Sequence, residues 1–75
     1  MPNITYPWEL APPWATCAAM DKDGRRYFFS LTPKINQKYS IWQTKYPGKL
    51  VFIDIYKEDV VEDFWKTTLS YRPVI

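Results

Sequence analysis

Ala15-Thr16-Cys17-Ala18-Ala19-Met20-Asp21-Lys22-Asp23-Gly24-Arg25-Arg26-Tyr27-Phe28-Phe29-Ser30-Leu31 is the stretch on which the fold turns. Asp21-Lys22-Asp23-Gly24 is a turn signal, with Gly24 free to adopt positive φ. The flanking runs, Ala15 to Met20 and Arg25 to Leu31, read as two strands of a hairpin. On the second strand Arg25, Tyr27 and Phe29 share one face, and Arg26, Phe28 and Ser30 share the other. Neither face is purely polar, so both faces are expected to be covered.

On the N-terminal side, residues 1–14 hold four of the seven prolines: Pro2, Pro7, Pro12 and Pro13. Proline fixes φ and lacks the amide proton, so this arm is extended or turned. Tyr6, Trp8 and Trp14 imply that it packs down on the body within one domain spanning 1–75. The same tryptophans could instead anchor a protein partner.

On the C-terminal side, Thr32 to Lys38 reads as a loop around Pro33, and Tyr39 to Lys45 as a third strand. Pro47-Gly48 is a turn. Lys49 to Tyr56 reads as a strand with Val51, Ile53 and Ile55 on one face and Leu50, Phe52, Asp54 and Tyr56 on the other. From about Glu58 to Ser70, helical spacing gathers Val60, Val61, Phe64, Trp65 and Thr68 on one side. Asp59, Glu62, Asp63, Lys66 and Ser70 fall opposite, and Pro73 stops the run. The expected fold is α+β: an antiparallel sheet of about four strands, one C-terminal helix packed on it, and the proline-rich arm.

Size and composition narrow the function. The chain has 75 residues, and a body of that size buries about 63% of its unfolded surface, enough for one small core. Aromatic residues make up 19% of the chain, and a small core needs such bulk. There is no His and only one Cys. The usual general base, His-based triads, an internal disulfide and thiolate metal clusters are therefore excluded. No apolar run approaches the roughly 18 residues of a membrane span, and no basic-then-apolar leader opens the chain. A cytoplasmic setting is expected, which Cys17 as a free thiol fits.

Charge is uneven. Residues 1–20 carry −1, residues 21–50 carry +5 and residues 51–75 carry −2. A basic middle suits an anionic ligand, and it equally describes a solvated surface. Asp21 and Asp23 lack the further ligands of a calcium loop and belong to the turn. Glu58, Asp59, Glu62 and Asp63 read as solubilising charge, and Cys17 as a buried small residue. One constellation can carry binding: Arg25, Arg26, Tyr27 and Phe29 with Lys38, Tyr39, Trp42 and Lys45. Arginine forks match phosphate oxygens, and aromatic faces stack on bases. The competing reading is an aromatic core with basic residues at its rim. A chain this short also gains stability by self-association, so a homo-oligomer is expected.

Trp8-Glu9-Leu10-Ala11-Pro12-Pro13-Trp14-Ala15 precedes Asp21-Lys22-Asp23-Gly24, which runs into the aromatic strand Tyr27-Phe28-Phe29, an opening of the type W-A-x-x-x-A-x-D-x-D-G followed by aromatics. Trp65-Lys66-Thr67-Thr68-Leu69-Ser70-Tyr71-Arg72-Pro73 forms a closing of the type W-x-x-S-L-x-x-R-P. Together these resemble small proteins encoded by tailed bacteriophages. Thr68 stands where the closing motif has Ser. Arg25-Arg26 stand where many of those proteins have an acidic or aromatic pair. The resemblance implies a phage origin and no catalytic residue. In the host cytoplasm such a chain is expected to be a counter-defence binding protein rather than an enzyme, without cofactor or metal. Its expected ligand is a cyclic or NAD-derived nucleotide immune signal. Two alternatives are a protein-protein inhibitor of a host defence or transcription protein, and a single-stranded nucleic-acid binder.

Overall fold

The computed structural model describes residues 4–74; Pro2 of the proline-rich arm lies outside them. Among the described residues six strands form two sheets: β1 (Cys17–Met20), β2 (Arg25–Phe29), β3 (Lys34–Asn36), β4 (Ile41–Gln43), β5 (Leu50–Ile55) and β6 (Ser70–Tyr71). The main sheet is antiparallel with order β5-β2-β1-β6, and β3 and β4 make a separate two-stranded sheet. Two short 3-10 turns, Trp8–Leu10 and Phe64–Thr67, complete the regular structure.

The β1–β2 hairpin forms as the turn chemistry dictates. Gly24 sits at φ +94°, and a Cβ there would press on the Tyr56 carbonyl. Every residue of β1 is buried, because both faces of the main sheet are covered. On one face Tyr6, Trp8, Trp14 and Ala15 pack with Ala18 and Phe28, and the Trp8 ring lies 5.3 Å from that of Phe28. On the other, Trp42, Phe64 and Trp65 pack with Cys17, Ala19, Met20 and Phe29.

The expected C-terminal helix is absent, which corrects the α+β assignment. The 58–70 segment contains only the single 3-10 turn, and its end is strand β6. The reason is local. Val60, Val61, Thr67 and Thr68 are β-branched and poor helix formers. The Thr67 hydroxyl donates to the Phe64 carbonyl at 2.7 Å, and that of Thr68 to the Trp65 carbonyl at 2.8 Å. These side-chain bonds close short turns in place of an α-helical ladder. Phe64 and Trp65 still point inward because one turn delivers both, whereas Val61 is left 64% exposed. The third expected strand, Tyr39 to Lys45, shrinks to β4 and pairs with β3, which arises inside the expected loop, so neither joins the main sheet.

Strand β5 departs from strict alternation. Asp54 pairs with Arg26 while Phe52 pairs with Tyr27, leaving Ile53 as the extra residue of a bulge. Leu50, Phe52 and Ile55 therefore share one face. Asp54 is turned to the side of Val51, where the Arg26 guanidinium grips it through Nε at 2.6 Å and Nη2 at 2.7 Å.

Thr68 joins the layers. Its hydroxyl accepts the Met20 N–H at 2.9 Å, taking over from β6 where that strand ends, and its carbonyl accepts the Tyr6 hydroxyl at 2.9 Å. Burial pushes the Tyr6 phenol up to about 12. Thr68→Val keeps the shape and strands the buried Met20 N–H, an expected loss of about 1–3 kcal/mol, read from the urea midpoint. Thr68→Ser keeps the hydroxyl and is expected to lose less than half as much. The Arg26 partnership holds the Asp54 carboxyl below its usual range. Its contribution to stability is thus present above the unfolded value near pH 4 and is lost as pH falls through the folded value. Asp54 is half exposed, so Asp54→Asn is expected to cost only about 1–2 kcal/mol at neutral pH. The difference from wild type should shrink as pH falls below about 4, measured by thermal unfolding across pH.

Candidate functional site

After Ser30 the chain leaves the main sheet, and buried Pro33 turns it into the β3–β4 hairpin. The register is Lys34↔Gln43, Ile35↔Trp42 and Asn36↔Ile41. The Asn36 side-chain amide donates to Gln43 Oε1 at 2.7 Å, and Asn36 Oδ1 accepts the Tyr39 N–H at 3.3 Å. Trp42 drives into the core, which turns Lys34 and Gln43 outward on the opposite face. At the open end of the hairpin, Thr32, Lys34, Ile35, Gln43, Thr44 and Lys45 line a cleft of about 290 Å³. That is at the small end of ligand sites.

Electrostatics favour an anion there. Among the described residues neither Lys34 nor Lys45 is in an ion pair. The whole stretch from Gly24 to Ile53 contains no Asp or Glu. Thr44 Oγ1 lies buried beneath the turn with no hydrogen-bond partner among the described residues. Gly48 closes over it, and a Cβ on Gly48 would collide with that hydroxyl. Tyr46, next to Lys45, is 93% exposed.

The residues singled out from sequence do not converge. Arg25 lies at the exposed end of β2 with its guanidinium 3.5 Å from Asp23. Arg26 points to the opposite face, 11% exposed, bound to Asp54, to the Thr5 carbonyl at 3.0 Å and against the Tyr6 ring. Phe29 is fully buried, and Tyr27 is half-buried between Phe29 and Phe52. Trp42 is core, its indole N–H donating to the Trp65 carbonyl at 3.0 Å. Lys38 and Tyr39 sit together at the hairpin tip, the ammonium 5.3 Å from the ring centre. Lys45 alone lines the cleft. Of its companions, Thr32, Lys34 and Ile35 lie in the segment expected as loop and Gln43 and Thr44 in the expected third strand; the acid-free run from Gly24 to Ile53 is the sequence signal that could have found them.

The other candidate chemistry is structural. Asp21 is buried and accepts the Trp42 backbone N–H at 2.7 Å, and desolvation pushes its carboxyl up. Cys17 is fully buried and burial raises its thiol. Among the described residues no group of three or more Cys, Asp or Glu side chains is placed to hold a metal ion, and no helix is long and apolar enough to cross a membrane. No protein-family model, curated protein or solved structure matches the chain.

Proposed function

We propose that the protein is a non-catalytic binding protein whose ligand is a phosphate-bearing small molecule of the nucleotide class, held at the hairpin cleft. The observation that carries this reading is the convergence of unpaired Lys34 and Lys45 on a cleft within a stretch free of carboxylates. Two ammonium groups attract a phosphate as point charges. Hydroxyl and amide groups of Thr32 and Gln43 complete its hydrogen bonding. Tyr46 offers an unpacked ring to a base, and such stacking is worth about 1–3 kcal/mol. The volume suits one anionic head group, which favours a mononucleotide-sized ligand over a nucleic-acid strand. In the phage setting implied by the resemblance, capture of this kind would withdraw a nucleotide immune signal from its host receptor.

The test is a thermal-shift and calorimetric titration with adenosine mono- and diphosphate, NAD, cyclic dinucleotides and inorganic pyrophosphate. A ligand at 100-fold its dissociation constant stabilises the fold by about 2.7 kcal/mol, many degrees for a domain of this size. Lys34→Ala and Lys45→Ala are each expected to weaken binding about 10-fold, equivalent to about 1.4 kcal/mol. Arg25→Ala should leave affinity unchanged. Absence of any shift at millimolar probe, or full affinity in both lysine variants, would rule the cleft out.

A further inference from the structure

Strand β5 is an edge of the main sheet; its second half is protected by the Ile53 bulge and Asp54, but its first half, Leu50 to Phe52, lacks the features that normally protect an edge. Natural edges carry charges, proline or a cover that block further pairing. Between Leu50 and Ile53 there is neither charge nor proline. Leu50 is 48%, Val51 38% and Phe52 51% exposed.

We infer that β5 pairs antiparallel with β5 of a second copy of this chain, about a two-fold axis through Val51. The inference is independent of the cleft. The main-chain directions fix the register. Ser30 donates its N–H to the Lys49 carbonyl at 3.0 Å, and the Lys49 N–H donates to Ser30 Oγ at 2.8 Å. Lys49 thus faces β2, and by alternation Leu50 and Phe52 turn their N–H and C=O groups outward. A two-fold normal to the sheet keeps each residue on its own face, so paired positions must share a face. Before the Ile53 bulge, one register engages both outward residues: Leu50 opposite the second copy's Phe52, and the reverse. Each such pair exchanges both main-chain bonds. Leu50 and Phe52 of the two copies then form one apolar cluster on one face, and the two Val51 side chains meet on the other.

Charge agrees with this register. The residues that bracket the apolar stretch, Lys49 and Asp54, have opposite signs. The two-fold sets Lys49 of each copy opposite Ile53 of the other, next to Asp54, so unlike charges become neighbours and no like charges oppose. Shifting the centre to Phe52 would put Leu50 opposite Asp54, on mismatched faces, and lose a bonded pair.

Sedimentation velocity with the full chain, from micromolar to near-millimolar concentration, tests the association. The expected result is a reversible species of twice the 9.0 kDa chain mass. Val51→Lys places two ammonium groups across the axis and should shift the midpoint concentration at least 10-fold upward. Leu50→Pro removes an outward N–H without touching the ladder to β2, and should do the same. Val51→Cys tests the register without disturbing the fold. Cα atoms of a non-hydrogen-bonded pair lie about 4.5 Å apart, within disulfide range, so oxidation should give a covalent dimer. Cysteine at Lys49 should not. A monomer at every concentration overturns the inference, as does a dimer indifferent to both Val51→Lys and Leu50→Pro, or failure of Val51→Cys to cross-link. A monomer that captures an extended peptide along β5 overturns it too, in favour of a heterologous partner.

Discussion

A central strand with no exposed side is the constraint from which the rest of the molecule follows. β1 contributes Cys17, Ala18, Ala19 and Met20, and none of them reaches solvent. A four-residue strand buried on both faces obliges a 75-residue chain to build two covering layers. Small side chains at Ala18 and Ala19 let both layers approach closely. The arm covers one face with Tyr6 and Trp8, and the hairpin and the second 3-10 turn cover the other with Trp42, Phe64 and Trp65. Polar groups at the end of β1 set the positions of the layers. Asp21 takes the Trp42 N–H, Trp42 bonds the Trp65 carbonyl, and Thr68 takes the Met20 N–H while its carbonyl holds Tyr6. All four tryptophans of the sequence, with Tyr6 and Phe64, are thus placed in the layers that cover one strand.

The same burial sorts the charges. Arg26 is carried into the sheet by β2 and needs Asp54 beside it, because an unpaired charge at that depth would be costly. The bulge at Ile53 is what turns Asp54 to the required face. Asp21 carries the opposite burden: desolvation disfavours its charge, and the Trp42 N–H offsets part of that. Both groups are therefore committed to the fold. Among the described residues Lys34, Lys38 and Lys45, on or beside the β3–β4 hairpin, have no carboxylate partner and lie in a stretch without acids; Lys49, Lys57 and Arg72 are without one as well.

The parts of the fold legible in sequence were those with local causes. The β1–β2 hairpin followed from Asp23-Gly24 and two apolar runs, and β5 from its β-branched alternation. The coverage of both sheet faces was written in Arg25 to Ser30, where neither face is polar. The helix was misread because Val60, Val61, Phe64, Trp65 and Thr68 satisfy a helical period while being poor helix formers. The deciding interactions, the local bonds of the Thr67 and Thr68 hydroxyls to carbonyls three residues back and the tertiary bond of Thr68 to Met20, are side-chain contacts that periodicity does not encode. The binding constellation failed for a related reason. Strand alternation put Arg25 and Arg26 on opposite faces from the start, and nothing local revealed that Asp54 would claim Arg26 or that Phe29 and Trp42 were needed inside. Lys45 survived because it belongs to the hairpin's open end, and Lys34 was hidden in a segment read as loop.

The cleft and the β5 edge are joined by one short connection. Lys45 lines the cleft, its carbonyl accepts the Gly48 N–H at 2.7 Å, and Lys49 follows directly at the entrance to β5. Gly48 is also the residue whose missing side chain leaves room for the Thr44 hydroxyl. In the Val51-centred register, Lys49, the residue after Gly48, lies opposite Ile53 of the second copy. Pairing of β5 would then immobilise the same turn that shapes the cleft. A ligand that orders the turn and a second copy that orders the strand would each lower the entropic cost met by the other. If both proposals hold, coupling between binding and self-association would follow from chain connectivity, requiring no contact between the ligand and the second copy.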